Sequence, residues 1–388
     1  MKKLLLILGT RPETIKQAPL WWAAAAVPGW EVQICFTGQH REMGEQMLAD
    51  LGLPCHYRLD LMRPDQTPAA FIGAAVPAIE TVLRQSQPDW VAVQGDTTSA
   101  LAGALASFYS RIPLVHIEAG LRTYDRTQPF PEEMHRQLVT RLAVAHCAPT
   151  ETARAALLRE AVPDASILMC GNTGIDCLLH VARLLRANPP PADASVLPPG
   201  VQARLYANGA PTAARLVLIT GHRRESFGGG FIAICRAVRR LAETFSTVEF
   251  VYPVHLNPQV RTVVHEMLTG LPNLHLIEPL AYRPFVQLMD RATLLLTDSG
   301  GIQEEAPALG KPVLVMRNVT ERMEAVECGA AQLVGNDEAR LYAATARLLS
   351  DEAAFRAMAV PRFPYGDGSS ARRILAWLAE FLGAPRGP

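Results

Sequence analysis

Three acidic residues stand where side chains could exchange protons with a bound molecule. Asp96 lies in Gln94-Gly95-Asp96-Thr97-Thr98-Ser99, directly after an apolar run. Glu118 lies in His116-Ile117-Glu118-Ala119-Gly120-Leu121-Arg122-Thr123, after another. Glu132 follows Pro129-Phe130-Pro131 and introduces a helix-like stretch through His135 and Arg136. A carboxylate at the end of an apolar strand is costly unless a partner compensates, because desolvation raises its pKa. An isolated Asp before a helix reads by default as an N-cap. The weight therefore rests on the set: three acids that could converge on one rim and move protons.

Anion-binding groups complement them. In Gly9-Thr10-Arg11-Pro12-Glu13-Thr14-Ile15-Lys16, Gly9 permits a tight turn, and Arg11 and Lys16 could meet a phosphate near a helix N-terminus. An exposed Arg-Glu pair capping a helix would explain this motif equally well by itself. It is neither GxGxxG nor a P-loop, which argues against a nicotinamide enzyme or an ATPase. The second half offers Thr220-Gly221-His222-Arg223-Arg224-Glu225 and Asp298-Ser299-Gly300-Gly301-Ile302-Gln303-Glu304-Glu305. Ser299, Gly300 and Gly301 can expose backbone N–H groups at a helix start, a cradle for a diphosphate without a metal. Glu305, one turn in, could accept hydrogen bonds from a ribose diol. Gly310 and Pro312 predict a short helix.

These groups require a scaffold of strands whose ends face one way. Apolar runs recur at 3–8, 31–36, 90–94, 114–118 and 167–170, and again at 216–220, 249–254, 274–278, 293–297 and 313–316, with helix-like stretches between. Continuous runs rather than alternation indicate parallel strands covered on both faces, and the strand-helix rhythm indicates doubly wound α/β sheets. Ligands then bind beyond the carboxyl ends, where the motifs lie. Asn188-Pro189-Pro190-Pro191-Ala192-Asp193 and Pro198-Pro199-Gly200 read as a surface loop of the second domain. Gly171-Asn172-Thr173-Gly174 reads as the crossover. The expected division is 1–171 for an N-terminal Rossmann-like domain, 172–365 for a C-terminal one, and 366–388 for a helix packing back on the first.

Composition bounds the class. The chain has 388 residues, 49% hydrophobic and 19% charged, enough apolar side chains to fill cores. At about 150 residues per domain the length suggests two domains or three. Thirty-seven basic residues balance 37 acidic ones, so no global field favours nucleic acid or an anionic membrane. Leu4–Leu8 is too short for a signal h-region, and no uncharged apolar run reaches the ~18 residues of a spanning helix. Seven scattered cysteines without a CxxC pair suit reduced thiols in a cytoplasm, and no His/Asp/Glu spacing demands a metal.

Taken together, the motifs Gly9–Glu13, Gln94–Thr98, His116–Thr123, Pro131–Glu133, Gly221–Glu225 and Asp298–Glu305 closely resemble the bacterial non-hydrolysing UDP-N-acetylglucosamine 2-epimerase family. The likeness runs in order from about Lys3 to beyond Val334. It implies two Rossmann-like domains in a glycosyltransferase-B arrangement, with the nucleotide in the cleft and held mainly by the second domain. Ser299, Gly300 and Gly301 would contact the diphosphate, Glu305 the ribose, and Phe285 the uracil. Arg322, Arg11, Lys16 and His222 would complete the polar shell, with His222 beside the catalytic acids Asp96, Glu118 and Glu132. Gln39 and His255 fall near a second, activating nucleotide-sugar site of relatives. Leu280 departs from a glutamine of relatives, and Gln17 is peripheral.

The implied reaction inverts C2 between UDP-N-acetylglucosamine and UDP-N-acetylmannosamine, by elimination of UDP to 2-acetamidoglucal and its return. No cofactor is implied. The resemblance further implies a UDP-N-acetylhexosamine as the only partner besides a second copy in a homodimer, and supply of activated sugar for surface polysaccharide. A hydrolysing relative would release N-acetylmannosamine and UDP instead. A glycosyltransferase would share the fold without needing three acids. A silent UDP-sugar sensor would keep the anion-binding motifs alone.

Overall fold

The structure, a computed structural model, describes residues 1–189, 197–207, 210–221 and 229–381. Two compact α/β units result: Met1–Cys177 with the chain from Tyr365 onward, and Leu178–Pro364. The chain passes from one to the other inside the helix Thr173–Ala187.

The first unit holds a seven-stranded parallel sheet of β1 (Lys2–Leu8), β2 (Trp30–Phe36), β3 (Tyr57–Arg58), β4 (Trp90–Gln94), β5 (Leu114–Ile117), β6 (Ala145–Ala148) and β7 (Ile167–Met169). Their spatial order is 3-2-1-4-5-6-7. From β1 the chain winds outward through β2 and β3, returns to lay β4 beside β1, and winds the other way. Leu4 to Leu8 are all wholly buried, as a strand covered by helices on both faces must be. The helix Thr98–Tyr109 packs closely among its neighbours because Ala100, Ala102, Gly103, Ala104 and Ala106 are small and buried, with Gly103 against the sheet. A Cβ on Gly103 would fall 2.8 Å from Ile7 and 2.9 Å from Val93. Thr97 caps this helix, its Oγ1 accepting from Ala100 N at 3.0 Å.

The second unit repeats the plan with six parallel strands, in the order Leu274–Ile277, Val248–Pro253, Arg215–Thr220, Leu294–Thr297, Val313–Val315 and Ala331–Leu333. Phe231, Ile234, Val238 and Leu241 form the buried stripe of helix Gly229–Thr244 against it, at the 3.6-residue period. Three strands of these two parallel sheets escape the apolar pattern. Tyr57–Arg58 is a two-residue edge, Ala145–Ala148 is built of small residues around a buried His146, and Ala331–Leu333 carries a central glutamine.

The C-terminal helix Ser370–Glu380 belongs to the first unit. Ala371 N donates to Asp176 Oδ1 at 2.8 Å, and the Phe381 ring sits edge-on to Trp377 (4.8 Å) and Trp90 (5.8 Å). Outgoing and returning chain cross at Gly171 and Gly366, where a Cβ on Gly171 would come within 2.8 Å of Gly366 Cα. No described helix is long and apolar enough to cross a membrane, and all seven cysteines are free thiols.

Beyond the ends of β1 and β4 the turns are braced from below. Gly9 is needed for space rather than for a left-handed turn: its φ is not positive, but a Cβ there would lie 1.9 Å from Ser99 Oγ and 2.6 Å from Thr37 Oγ1. Glu13, wholly buried, joins the two turns. Its Oε2 accepts from Gly9 N at 3.0 Å, and its Oε1 lies 2.6 Å from Thr97 Oγ1. Burial outweighs these hydrogen bonds and pushes its pKa up to about 7.

Gly9→Ala should destabilise the fold by about 1–3 kcal/mol through overpacking, measured by urea unfolding. Glu13 keeps its proton in the fold over a pH range in which the unfolded chain has lost it. Its contribution is therefore full below about pH 4.5 and declines as pH rises to about 7. Glu13→Gln can keep both hydrogen bonds without an ionisable proton. Its unfolding midpoint should gain on the wild type across that window and remain above it at pH 8.

Candidate active site

Where successive connections leave a parallel sheet in opposite directions, the turns diverge and open a crevice at the strand ends. In the first unit that place is the junction of β1 and β4, and in the second the junction of Arg215–Thr220 and Leu294–Thr297. Gly9–Glu13 and Gln94–Thr98 follow the two strands of the first junction, and Gly221 and Asp298–Glu305 those of the second.

In the first unit, Asp96 follows Gly95, whose φ of 68° turns the chain sharply off β4. Glu118 itself adopts a φ of 62° at the end of β5. That left-handed backbone costs a non-glycine residue about 1–2 kcal/mol, a strain of the kind that collects at functional sites. Its carboxylate is gripped from two sides: Lys16 Nζ, from helix Arg11–Ala24, pairs with Oε1, and Gln94 Nε2 donates to Oε2. Asp96 Oδ2 receives Arg136 Nε and a terminal guanidinium nitrogen, both at 2.7 Å. Burial lifts the Asp96 carboxyl above its usual range. The Arg136 guanidinium opposes this, the Glu118 charge adds to it, and Lys16 opposes it more weakly. The two acids are thus electrostatic neighbours, each with its own cation.

Glu132 begins the helix Glu132–Leu142, one turn before Arg136 and on the same side of the helix. It is half-buried and makes no hydrogen bond or ion pair among the described residues. The adjacent Glu133 is the structural acid. It is wholly buried and accepts from Thr123 N (3.0 Å), Tyr124 N (3.2 Å) and Gln137 Nε2 (2.8 Å), which together hold its pKa down against desolvation. Arg11, first residue of its helix, likewise has no such partner among the described residues. Gln39 is anchored inside the unit through its Oε1, which accepts from Ser99 N at 3.0 Å and Ser99 Oγ at 2.7 Å. Gln17 is wholly buried and donates to Ile7 O at 2.9 Å, a packing role.

In the second unit the helix Gly300–Ala308 starts at Ser299, whose side chain makes no capping hydrogen bond. A Cβ on Gly301 would meet nothing within 4 Å, so the space over the exposed helix terminus is open. Arg322 lies beside it, its guanidinium 3.2 Å from where a Gly300 Cβ would be, with Nε donating to Glu304 Oε1 at 2.9 Å. Gln303 ties this arrangement together: its Nε2 donates to Ser299 O (3.1 Å), and its Oε1 accepts from Thr320 Oγ1 (2.6 Å), two residues before Arg322. Glu305 and Phe285 are half-buried on their helices, and Leu280 is half-buried as well. His255 is exposed, its Nδ1 accepting from Asn257 N at 3.1 Å. His222 lies outside the described residues. Among the described residues no group of three His, Cys, Asp or Glu side chains forms a metal-binding set.

The sequence reading passed over Gln94, Arg136, His135 and Gln303 as functional groups. Arg136 was the most discoverable, being four residues from Glu132. Gln94 and His135 act through contacts between segments far apart in the chain, and Gln303 joins Ser299, one turn away, to the more distant Thr320.

Comparison with known proteins bears on the chemistry these groups serve. The family model described as UDP-N-acetylglucosamine 2-epimerase matches residues 23–379. The UDP-N-acetylglucosamine 2-epimerases of Yersinia pestis and of Escherichia coli K12 are each 48% identical over 375 residues, covering 96% of this chain and 97% of theirs. Among solved structures, UDP-GlcNAc 2-epimerase from Neisseria meningitidis bound to UDP-GlcNAc superposes with a TM-score of 0.82 at 38% identity, covering 97% of this chain and 100% of that one. A putative UDP-N-acetylglucosamine 2-epimerase from Listeria monocytogenes gives 0.88 at 38% identity, covering 97% and 96%. With two Rossmann-like sheets, polar motifs at both reversal points and likeness along nearly its whole length, the chain belongs to the UDP-N-acetylglucosamine 2-epimerase family.

Proposed function

We propose that the protein interconverts UDP-N-acetylglucosamine and UDP-N-acetylmannosamine without hydrolysing them. The observation that carries the mechanism is the pairing of Asp96 and Glu118 on one rim, each held by a different cation. The C2 hydrogen has no adjacent carbonyl, so its removal needs help from a departing group. A base takes the C2 proton, the C1–O bond breaks with its electrons going to the diphosphate, and a C1–C2 double bond forms. Re-addition of UDP with protonation on the opposite face restores the sugar with C2 inverted. Asp96, Glu118 and Glu132 supply base, acid and a positioning contact to the sugar. Burial lifts the Asp96 carboxyl above its usual range, which favours holding a proton there for delivery to the sugar.

Departing diphosphate charge calls for fixed donors. The N–H groups at Ser299, Gly300 and Gly301, with Arg322, fill that role in this reading, joined by Arg11, Lys16 and His222, while Glu305 takes the ribose and Phe285 the uracil. Gln39 and His255 are assigned to an activating nucleotide-sugar site. Homodimeric assembly, a cytoplasmic setting and supply of activated sugar for surface polysaccharide belong to the same proposal.

Incubation with UDP-N-acetylglucosamine in heavy water should place deuterium at C2 of both sugar nucleotides, followed by NMR. Asp96→Asn, Glu118→Gln and Glu132→Gln should each slow that incorporation by about 100-fold or more. Undiminished exchange in all three removes the assignment, and free N-acetylmannosamine with UDP in the wild-type reaction replaces it with hydrolysis. Gly301→Val should weaken UDP binding about tenfold or more in calorimetry while leaving the melting temperature near the wild type, because the added side chain enters open space rather than the core.

A further inference from the structure

His116 and His135 are buried histidines that face the turn carrying Asp96. His116, on β5, is wholly buried with its Nε2 2.8 Å from the carbonyl oxygen of Gly95. His135, on the helix Glu132–Leu142, places Nδ1 2.9 Å from the carbonyl oxygen of Asp96. A carbonyl only accepts, so each of these nitrogens carries the proton. For His116 this fixes the tautomer. Its Nδ1 has no partner among the described residues, so a second proton there would be buried without an acceptor. Burial accordingly pushes its pKa down to about 3, and the ring stays neutral.

The location gives this hydrogen bond its consequence. His116 stands two residues before Glu118 on the same strand, and Gly95 stands directly before Asp96. Gly95 N also donates to Ile117 O at 3.0 Å, so both polar groups of the Gly95 backbone are fastened to β5. Gln94 closes the same junction by donating to Glu118. The strand that ends in one acid therefore holds the turn that aims the other.

We infer that His116 is a positioning residue that sets the spacing of Asp96 and Glu118 by donating its Nε2 proton to the Gly95 carbonyl. The inference rests on the proposed role of those acids in the epimerase reaction. Neither proton transfer to substrate nor contact with it is assigned to His116. Without the donor, the Gly95 carbonyl is left unpaired in a dry site, and the Gly95–Asp96 peptide is free to rotate to find another partner.

The test uses three variants of the full chain. Glutamine can place its amide nitrogen where Nε2 stands, asparagine reaches only as far as Nδ1, and phenylalanine fills the ring's space with no donor. His116→Phe and His116→Asn should lower kcat and C2 deuterium exchange by about 10- to 100-fold, the usual cost of misplacing a reacting group. UDP affinity and KM should stay near wild type. His116→Gln should retain most of the wild-type kcat. The pH profile of kcat should keep both limbs in every variant, scaled in height only. Should His116→Phe fail to fold, as judged by thermal melting, the Gln and Asn variants decide alone. Equal rates for Gln and Asn, full activity in Phe, or loss of one limb of the profile would each overturn the inference. An inactive wild type would instead strike at the epimerase reading itself.

Discussion

Charge placed at the carboxyl end of a buried strand has to be neutralised where it stands, and this requirement organises the first unit. Glu118 keeps only a tenth of its side chain exposed, and Lys16 and Gln94 take its two oxygens. Asp96 is satisfied by the Arg136 fork, and Glu133 by two backbone N–H groups and a glutamine amide. Glu13, with no cation assigned to it, is driven towards its neutral form instead. The four acids illustrate the alternatives open to a desolvated carboxyl: a cation, a set of N–H donors, or retention of its own proton.

Topology then decides which of these groups a ligand can reach. Both sheets reverse their winding between two central strands, and in both the polar turns lie at that reversal. The first unit fills its reversal with acids held by cations. The second presents a helix terminus with open space above Gly301 and a guanidinium alongside. One fold thus supplies two different surfaces, because strand ends dictate where side chains are displayed and not what they are.

Much of this was legible from residue order alone. Continuous apolar strands announced parallel sheets, and the turn motifs after them named Asp96, Glu118, Ser299 and Gly301. What escaped did so for physical reasons. Ala145–Ala148 and Ala331–Leu333 are paired by neighbours on the sheet rather than by their own propensity. Gly9 read as permitting a tight turn, and it is also a spacer against Ser99 and Thr37, a contact spanning distant segments. One of the two readings of its motif made Glu13 half of an exposed pair, whereas it is the buried link to Thr97. The tie between the Gln39 side-chain oxygen and Ser99 likewise joins distant segments. Each depends on which turns the folded sheet brings side by side.

The left-handed residue at the end of β5 carries an evolutionary consequence. Glycine relaxes that conformation at no steric cost, and both glutamate codons become glycine codons by one base change. Drift towards the more comfortable backbone is therefore mutationally near at hand, and it would delete the carboxylate. On the proposed role of Glu118, a glutamate kept there among active relatives would mark selection for chemistry over thermodynamic ease, and relatives that had abandoned catalysis are where its erosion would first be visible.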